Sequence, residues 1–285
     1  MIGKGRIAVI LGASDTGKTT LCRFLLQEAL GRGLRSAYID TDVGQSVIGP
    51  PTTLGMALVK EQRDLADPVP LRLYFLGATS PAQELLAAVA GARRLLEEAM
   101  ELGVEFAVVD TTGLVAGDIG FRLKFYKIEV LSPTDLIAIR RESELEHILR
   151  AFRGRQRPKI HLLPPSRGVR RRDQLQRQLY RSGRFEAYFS RARVVRLGGG
   201  RVVINPSLPL ADDGGGERMV GRVVGLIDRE GFALGIGVFM GMEDGAIKVL
   251  TPVRDLEAVK AVQMGDLLLD RVAQKVCMPQ GGLTG

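Results

Sequence analysis

The chain has 285 residues, 45% hydrophobic and 25% charged, with a formal net charge of +8, two cysteines, two histidines and no tryptophan. That length and apolar content suffice for one large packed domain with a smaller companion. No apolar run reaches the roughly 18 residues that a bilayer crossing needs, and Cys22 and Cys277 alone build neither a disulfide framework nor a metal cluster.

The first predicted element is the strand RIAVIL (6–11). With its preceding lysine it mimics a secretion signal, but the apolar run leads straight into the loop LGASDTGKTT (11–20), so the expectation is the first strand of a cytoplasmic protein. The loop fits Gly-x-x-x-x-Gly-Lys-[Ser/Thr] through Gly12, Gly17, Lys18 and Thr19. Glycines let consecutive backbone N–H groups turn inward on phosphate oxygens, the lysine reaches the outer phosphates, and the threonine hydroxyl faces a divalent cation. Gly12, Ser14, Asp15, Thr16, Gly17, Lys18, Thr19 and Thr20 are therefore the candidate nucleotide-binding residues, with Asp15 either tuning the site or capping a turn. A helix over 18–31 follows, with Cys22 as a small buried apolar residue.

The strand SAYID (36–40) ends in Asp40 and, two residues on, Asp42. A carboxylate there can hold a metal's water shell or take the proton from an attacking hydroxyl, though acids also simply end strands before turns. A strand over 71–77 and a helix over 82–102 precede FAVVDTTG (106–113), a strand ending in Asp110 that looks like a Walker B element or the Asp-x-x-Gly of switch GTPases. Guanine selection in that class uses Asn-Lys-x-Asp, whereas the single asparagine, Asn205, precedes Pro206; a GTPase is set aside. Helices over 120–131, 142–152 and 173–182 and strands over 136–139 and 159–163 complete a strand–helix alternation, with His147 and His161 in apolar stretches that mark them as structural. The expected fold is α/β, a P-loop NTPase with a mostly parallel sheet and helices on both faces, its motifs at the carboxyl ends of the strands. This first domain is placed at 1–210. ADDGGGE (211–217) reads as a linker, residues 217–285 as a small β-rich, barrel-like domain with turns at DREG and EDGA, and PQGGLTG as a loose tail.

Residues 150–201 hold fifteen Arg and one Lys against Asp173 and Glu186, a net +14 on a chain totalling +8. Such a concentrated basic segment suits a polyanionic partner. Within PPSRGVRRRDQLQRQLYRSGRFEAYF (164–189), Leu175 and Leu179 are expected to form a buried stripe with Arg177 and Arg181 opposite, and Asp173 to cap the helix just after Arg172. These arginines either cover a γ-phosphate during transfer or contact a phosphate backbone without catalysis.

Together, GASDTGKTT, DTDVGQSVIGPPTTLG, YFLGATSP, DTTGLVAGDIG and LLPPSRGV with its arginine helix resemble the polynucleotide 5′-hydroxyl kinase family, over about residues 6–200. That family includes the RNA kinase associated with pre-mRNA cleavage factor II, rRNA-processing kinases and simpler archaeal and bacterial relatives. The resemblance implies Mg²⁺- or Mn²⁺-dependent transfer of the γ-phosphate of ATP or another nucleoside triphosphate to the 5′-OH of RNA or DNA, in nucleic-acid processing or repair. It implies that Lys18 and Thr19 bind triphosphate and metal. Asp42 would be the general base, with Asp40 the alternative and both near the metal, while Gln45 assists at the phosphates. Thr111, Thr112, Gly113 and Leu114 would form an acceptor clasp, and Arg172, Arg177 and Arg181 a lid. Eukaryotic members carry a tryptophan where this chain has Leu114, so the resemblance implies base stacking that is either missing here or supplied by another ring, with Tyr126, Phe121 and Tyr180 as candidates. The eukaryotic cleavage-factor member also has an adenine-binding N-terminal domain that has no counterpart before this phosphate loop, which implies weak donor discrimination. A nucleotide-loaded scaffold without turnover and an NTPase of the metal-insertase or partitioning type remain the alternatives. The single asparagine and arginine-heavy surface fit a heat-adapted source.

Overall fold

The computed structural model describes residues 1–166, 168–169, 172–198, 202–204 and 219–269. The chain divides into two compact units, Met1–Leu76 with Ser80–Gln178, and Gly77–Thr79 with Leu179–Gly285.

The first unit is built on seven strands, β1 (Arg6–Gly12), β2 (Ser36–Thr41), β3 (Thr53–Val59), β4 (Arg72–Phe75), β5 (Phe106–Thr111), β6 (Asp135–Ile139) and β7 (Lys159–Leu163), in the order β4-β3-β2-β5-β1-β6-β7. Five pair in parallel, while β3 at one side pairs antiparallel with both β2 and the edge strand β4. The sheet is therefore mixed. β3 has no sequence-level prediction: TLGMALV shows no alternation, because nearly all of it is buried. The helices are α1 (Lys18–Gly31), α2 (Arg63–Ala66), α3 (Leu85–Glu101), α4 (Gly117–Leu131) and α5 (Glu146–Leu149), followed by a 3₁₀ turn at Arg150–Phe152. The helix expected over 142–152 is thus shorter, and α2 was not foreseen.

One face of the sheet packs Ala8, Ile10, Tyr38, Phe106 and Val108 against Cys22, Leu25, Leu26 and Ala29 of α1. Alternate residues Val9, Leu11, Ala37, Ile39, Ala107 and Val109 are equally buried and point the other way, towards the side of α3 and α4. With both faces covered, the parallel strands expose functional groups only at their ends. Cys22 is buried and unpaired as a thiol, His161 Nε2 contacts Asp135 at 2.8 Å, and His147 Nε2 contacts the Val115 carbonyl at 2.9 Å.

Helix α6 (Gln174–Phe189) begins in the first unit and runs seven residues beyond its predicted end. Asp173 caps it: its carboxylate accepts from Gln176 N at 2.7 Å, and Gln176 Oε1 accepts from Asp173 N at 3.2 Å, a reciprocal capping box.

The second unit holds a six-stranded sheet of β8 (Arg193–Leu197), β9 (Val202–Ile204), β10 (Arg222–Ile227), β11 (Ala233–Glu243), β12 (Ala246–Thr251) and β13 (Ala261–Leu268), ordered β8-β12-β11-β10-β13-β9. β8 pairs antiparallel with β12, and β9 parallel with β13. Strands preceding residue 210 therefore belong to this sheet, and the unit starts well ahead of the boundary expected from composition. Among the described residues β8 and β9 do not pair with each other, so the sheet is open rather than a closed barrel. Both foreseen turns are present. Asp228 accepts from Glu230 N and Phe232 N, and Asp244 and Gly245 both take positive φ (50° and 73°), the two-residue reversal that matches strand twist. The side chain of Tyr188 receives Ile236 N at 2.8 Å, fastening the end of α6 to β11. The expected linker 211–217 and the tail from 279 lie outside the described residues.

Candidate active site

Between β1 and α1 the chain makes the phosphate loop. Gly17 adopts φ +92° at the start of α1 and Asp15 takes φ +53°, so amides of the loop turn towards one centre. Gly12 is enforced by proximity: a Cβ there would lie 2.5 Å from Thr16 Oγ1. Lys18, largely buried, donates to the Ala13 carbonyl at 2.9 Å, as does Thr16 Oγ1 at 2.9 Å. The eight residues expected here thus form one continuous segment, with Thr20 in the first turn of α1.

Thr19 Oγ1 donates to Asp110 Oδ2 at 2.6 Å, and Tyr38 OH donates to the same oxygen at 3.2 Å. Asp110 Oδ1 is buried with no hydrogen-bond partner. Burial pushes the Asp110 carboxyl above its ordinary range, against the opposing pull of Lys18 and the Thr19 hydrogen bond. This carboxylate, noted in the sequence only as Walker B-like, is the acid closest to the loop threonine.

Asp40 and Asp42 diverge. Asp40 is buried, and its carboxylate accepts from Asp42 N at 2.9 Å, Val47 N at 2.6 Å and Ile48 N at 3.2 Å. Burial, then the Asp110 charge, pushes it up to about 7. Its oxygens are taken by its own loop, which leaves it poorly placed as the metal ligand or alternative base expected from the sequence. Asp42 is half-exposed, with Oδ1 braced by Gly44 N at 3.1 Å and Gln45 N at 3.2 Å. Among the described residues no three acids, histidines or cysteines converge as a metal cluster.

Gln45 links this loop to the lid segment: its Oε1 accepts from Arg172 Nη1 at 3.2 Å and its Nε2 reaches the Arg177 carbonyl at 3.5 Å. Arg177 Nη2 pairs with Asp15 Oδ2 at 2.5 Å, and Arg172 N donates to the same oxygen at 3.1 Å. Two of the three arginines expected in a lid therefore meet the phosphate loop through Asp15. Arg181 is half-buried one turn further along α6, in the second unit. This pairing turns the arginine side of the helix inward, and Leu175 and Leu179 are each 62% exposed. The leucine stripe expected to be buried faces solvent, and the buried residues of α6 are Phe185 and Phe189. Ion pairing to the loop outweighs apolar periodicity here.

The expected clasp splits as well. Thr111 is fully buried and its hydroxyl donates to the Ile10 carbonyl at 2.7 Å, so it serves the sheet. The Thr112 carbonyl accepts from Lys124 Nζ at 2.5 Å. Gly113 abuts the phosphate loop, where a Cβ would lie 2.3 Å from Ser14 Oγ and 2.5 Å from Ser14 N. Gly113, Leu114, Val115 and Ala116, with Ala13, Ser14 and Asp15, line an open cleft of about 510 Å³ whose other lining residues are Arg141, Arg172 and Arg177.

Arg141, Tyr38, Lys124 and Lys127 had no place in the sequence reading. Arg141 Nη2 donates to the Asp15 carbonyl at 2.5 Å. Lys127 Nζ donates to Thr41 Oγ1 at 3.0 Å, and burial draws it down to about 8, while burial holds Lys124 well below the usual lysine range. A signal for the lysines does exist: Gly120, Leu123, Lys124, Lys127, Ile128 and Leu131 follow helical spacing and form the buried stripe of α4. Of the stacking candidates, Tyr126 is 56% exposed and Phe121 stacks on Phe125 at 5.6 Å.

A model of the mRNA cleavage and polyadenylation factor CLP1 P-loop matches residues 12–191. The polyribonucleotide 5′-hydroxyl-kinase of Pyrococcus horikoshii is 29% identical, over 92% of this chain and 85% of its own length. That of Pyrococcus abyssi is 30% identical, over 90% and 86%. Among solved structures, the wild-type Clp1p–Pcf11p complex matches with a TM-score of 0.73 at 18% identity, over 93% of this chain and 75% of that one, a likeness of fold.

Proposed function

The chain belongs to the mRNA cleavage and polyadenylation factor CLP1 P-loop family, and from that premise we propose that it is a polynucleotide 5′-hydroxyl kinase acting on RNA. The observation that carries the reading is the cleft itself. One wall is Ala13, Ser14 and Asp15 of the phosphate loop and a second, abutting it, is Gly113–Ala116, with three arginines around them, so the cleft suits two polyanions meeting end to end. An NTPase that delivers phosphate to water needs only the first wall.

In the proposed reaction the acceptor's 5′ oxygen forms a bond to the γ-phosphorus as the bond to the β–γ bridging oxygen breaks, and a nucleoside diphosphate leaves. Asp42 takes the hydroxyl proton, its carboxylate aimed by the Gly44 and Gln45 amides. Lys18, Arg172 and Arg177 stabilise charge spreading over the transferring group, and loop amides hold the departing diphosphate. Arg181 is assigned to the lid with them.

A divalent cation fits the residues present: the Thr19 hydroxyl and the unpartnered buried Asp110 Oδ1 lie at the loop's end, and Mg²⁺ is held through one or two protein oxygens plus waters and phosphates. When bound, it supplies charge neutralisation of the phosphate oxygens. Thr19 and Asp110 are the residues assigned to it, with Asp110 replacing Asp40, while Asp42 is kept for the proton.

The test is incubation with γ-labelled ATP, Mg²⁺ and a 5′-OH oligoribonucleotide. Label on the oligonucleotide supports the kinase. Free phosphate alone marks an NTPase, and neither product marks a nucleotide-bound scaffold.

A further inference from the structure

Lys124 and Lys127 of α4 are 0% and 1% exposed, and each ammonium donates to an uncharged oxygen, the Thr112 carbonyl and Thr41 Oγ1. Removing an ammonium from water is strongly unfavourable unless its donors are used. If α4 needed only bulk here, leucine or methionine would fill the same stripe without that penalty. The two hydrogen bonds, together with the attraction of the Asp42, Asp110 and Asp40 carboxylates for these charges, therefore carry the explanation.

Both bonds end on the strands that deliver the chemistry. Lys124 Nζ donates to the Thr112 carbonyl at 2.5 Å, just past β5. Lys127 Nζ donates to Thr41 Oγ1, which itself donates to the Asp110 carbonyl at 2.7 Å, tying the end of β2 to that of β5. Thr41 immediately precedes Asp42. A trans peptide sets its carbonyl and the following N–H on opposite sides. With the Thr112 carbonyl drawn inward to Lys124, the Gly113 N–H is turned away from the buried lysine. Gly113 in turn is pressed against Ser14 and borders the cleft, so the peptide cannot rotate without disturbing the phosphate loop.

We propose that Lys124 is a positioning residue for the acceptor strand: by holding the Thr112–Gly113 peptide with its carbonyl inward, it presents the following backbone to the anionic acceptor. This rests on the kinase reading given above. Lys127 performs the matching task at the end of β2, where it braces Thr41 and so the base.

The experiment compares Lys124→Met, which keeps the apolar stem and removes the donor, with Lys124→Gln, which retains an N–H, and with Lys127→Met. For Lys124→Met the KM for a 5′-OH oligoribonucleotide should rise about tenfold or more, the scale of one charged hydrogen bond, while the KM for ATP stays within about twofold. Lys124→Gln should recover part of the loss, and Lys127→Met should lower kcat instead. A purely structural lysine would move both KM values and the thermal midpoint together. An unchanged acceptor KM, or equal losses for both substrates, overturns the proposal; should the methionine variant fail to fold, the glutamine variant is judged by the same split. If the natural protein transfers no phosphate at all, the kinase reading is what fails. Oligonucleotide affinity by fluorescence anisotropy then decides the lysine's role, and an affinity unchanged in Lys124→Met overturns it.

Discussion

Thr19 and Asp110 are joined by a 2.6 Å hydrogen bond that runs from the phosphate loop's hydroxyl to the carboxylate closing β5, while the other carboxylate oxygen is buried and unpartnered. Asp110→Asn keeps an acceptor for the hydroxyl and removes the charge. It should lower kcat/KM by about 10²–10³, the range for losing one preorganised electrostatic group, and raise the Mg²⁺ concentration needed for half activity. Metal titration of the variant's transfer rate checks this, and an unaltered Mg²⁺ dependence would remove Asp110 from the metal site.

Asp42→Asn should reduce kcat by about 10²–10⁴, the usual contribution of a general base, with triphosphate affinity by calorimetry close to that of the natural protein. Asp40→Asn should act differently. Its amide oxygen can replace only one carboxylate oxygen, so its NH2 must face at least one of the three backbone N–H groups, at a cost of about 1–3 kcal/mol for an unsatisfied buried group, read as a lower urea midpoint. Near-normal turnover in Asp42→Asn would move the base elsewhere.

Arg177 pairs with Asp15 of the phosphate loop. Arg177→Ala should slow phosphate transfer by about 10³ or more, as arginine fingers do, with a far smaller change in donor affinity. Arg177→Lys should not restore the rate, because a point charge lacks the planar fork. Single-turnover transfer beside equilibrium nucleotide binding separates the two effects.

Lys127 has a pH signature with a definite sign. Its folded-state pKa is lowered from 10.5 to about 8, chiefly by burial. Between those values the unfolded chain keeps a proton that the folded chain has lost, so this group makes the protein more stable as pH rises through the window. Lys127→Met lacks the group. Its stability relative to the natural protein should therefore be highest below about pH 8 and decline towards about pH 10.5. Urea midpoints of both proteins across that range measure it, and a constant offset would contradict it.

Gly113→Ala should disable the site sterically, since the new methyl meets Ser14 Oγ, N and Cα at 2.3, 2.5 and 2.7 Å, and the last two are backbone atoms. Overpacking of this kind costs about 1–3 kcal/mol. The thermal midpoint should fall, and kcat/KM should drop for both ATP and oligonucleotide.

The parallel strands and the phosphate loop were legible because their signals are local: apolar runs bounded by turns, and a fixed spacing of glycines, lysine and threonine. β3 was not, since burial on both faces erases alternation and Gly55 sits where a Cβ would lie 2.6 Å from the Ile48 carbonyl. The orientation of α6 was misjudged for a different reason. Periodicity assigns Leu175 and Leu179 inward, but Arg177 pairs with Asp15, far away in sequence, and that pairing wins. The difference between Asp40, buried with both oxygens accepting from backbone amides, and Asp42, half-exposed with Oδ1 so held, is a matter of loop geometry. The lysines of α4 were hidden by their type, although their spacing placed them in the apolar stripe.

The loop after β2 closes on the Asp40 carboxylate through the amides of Asp42, Val47 and Ile48. The proposed base therefore arrives already aimed, by a residue that need never meet substrate. Little of the affinity for RNA has to be diverted to ordering that loop at each encounter.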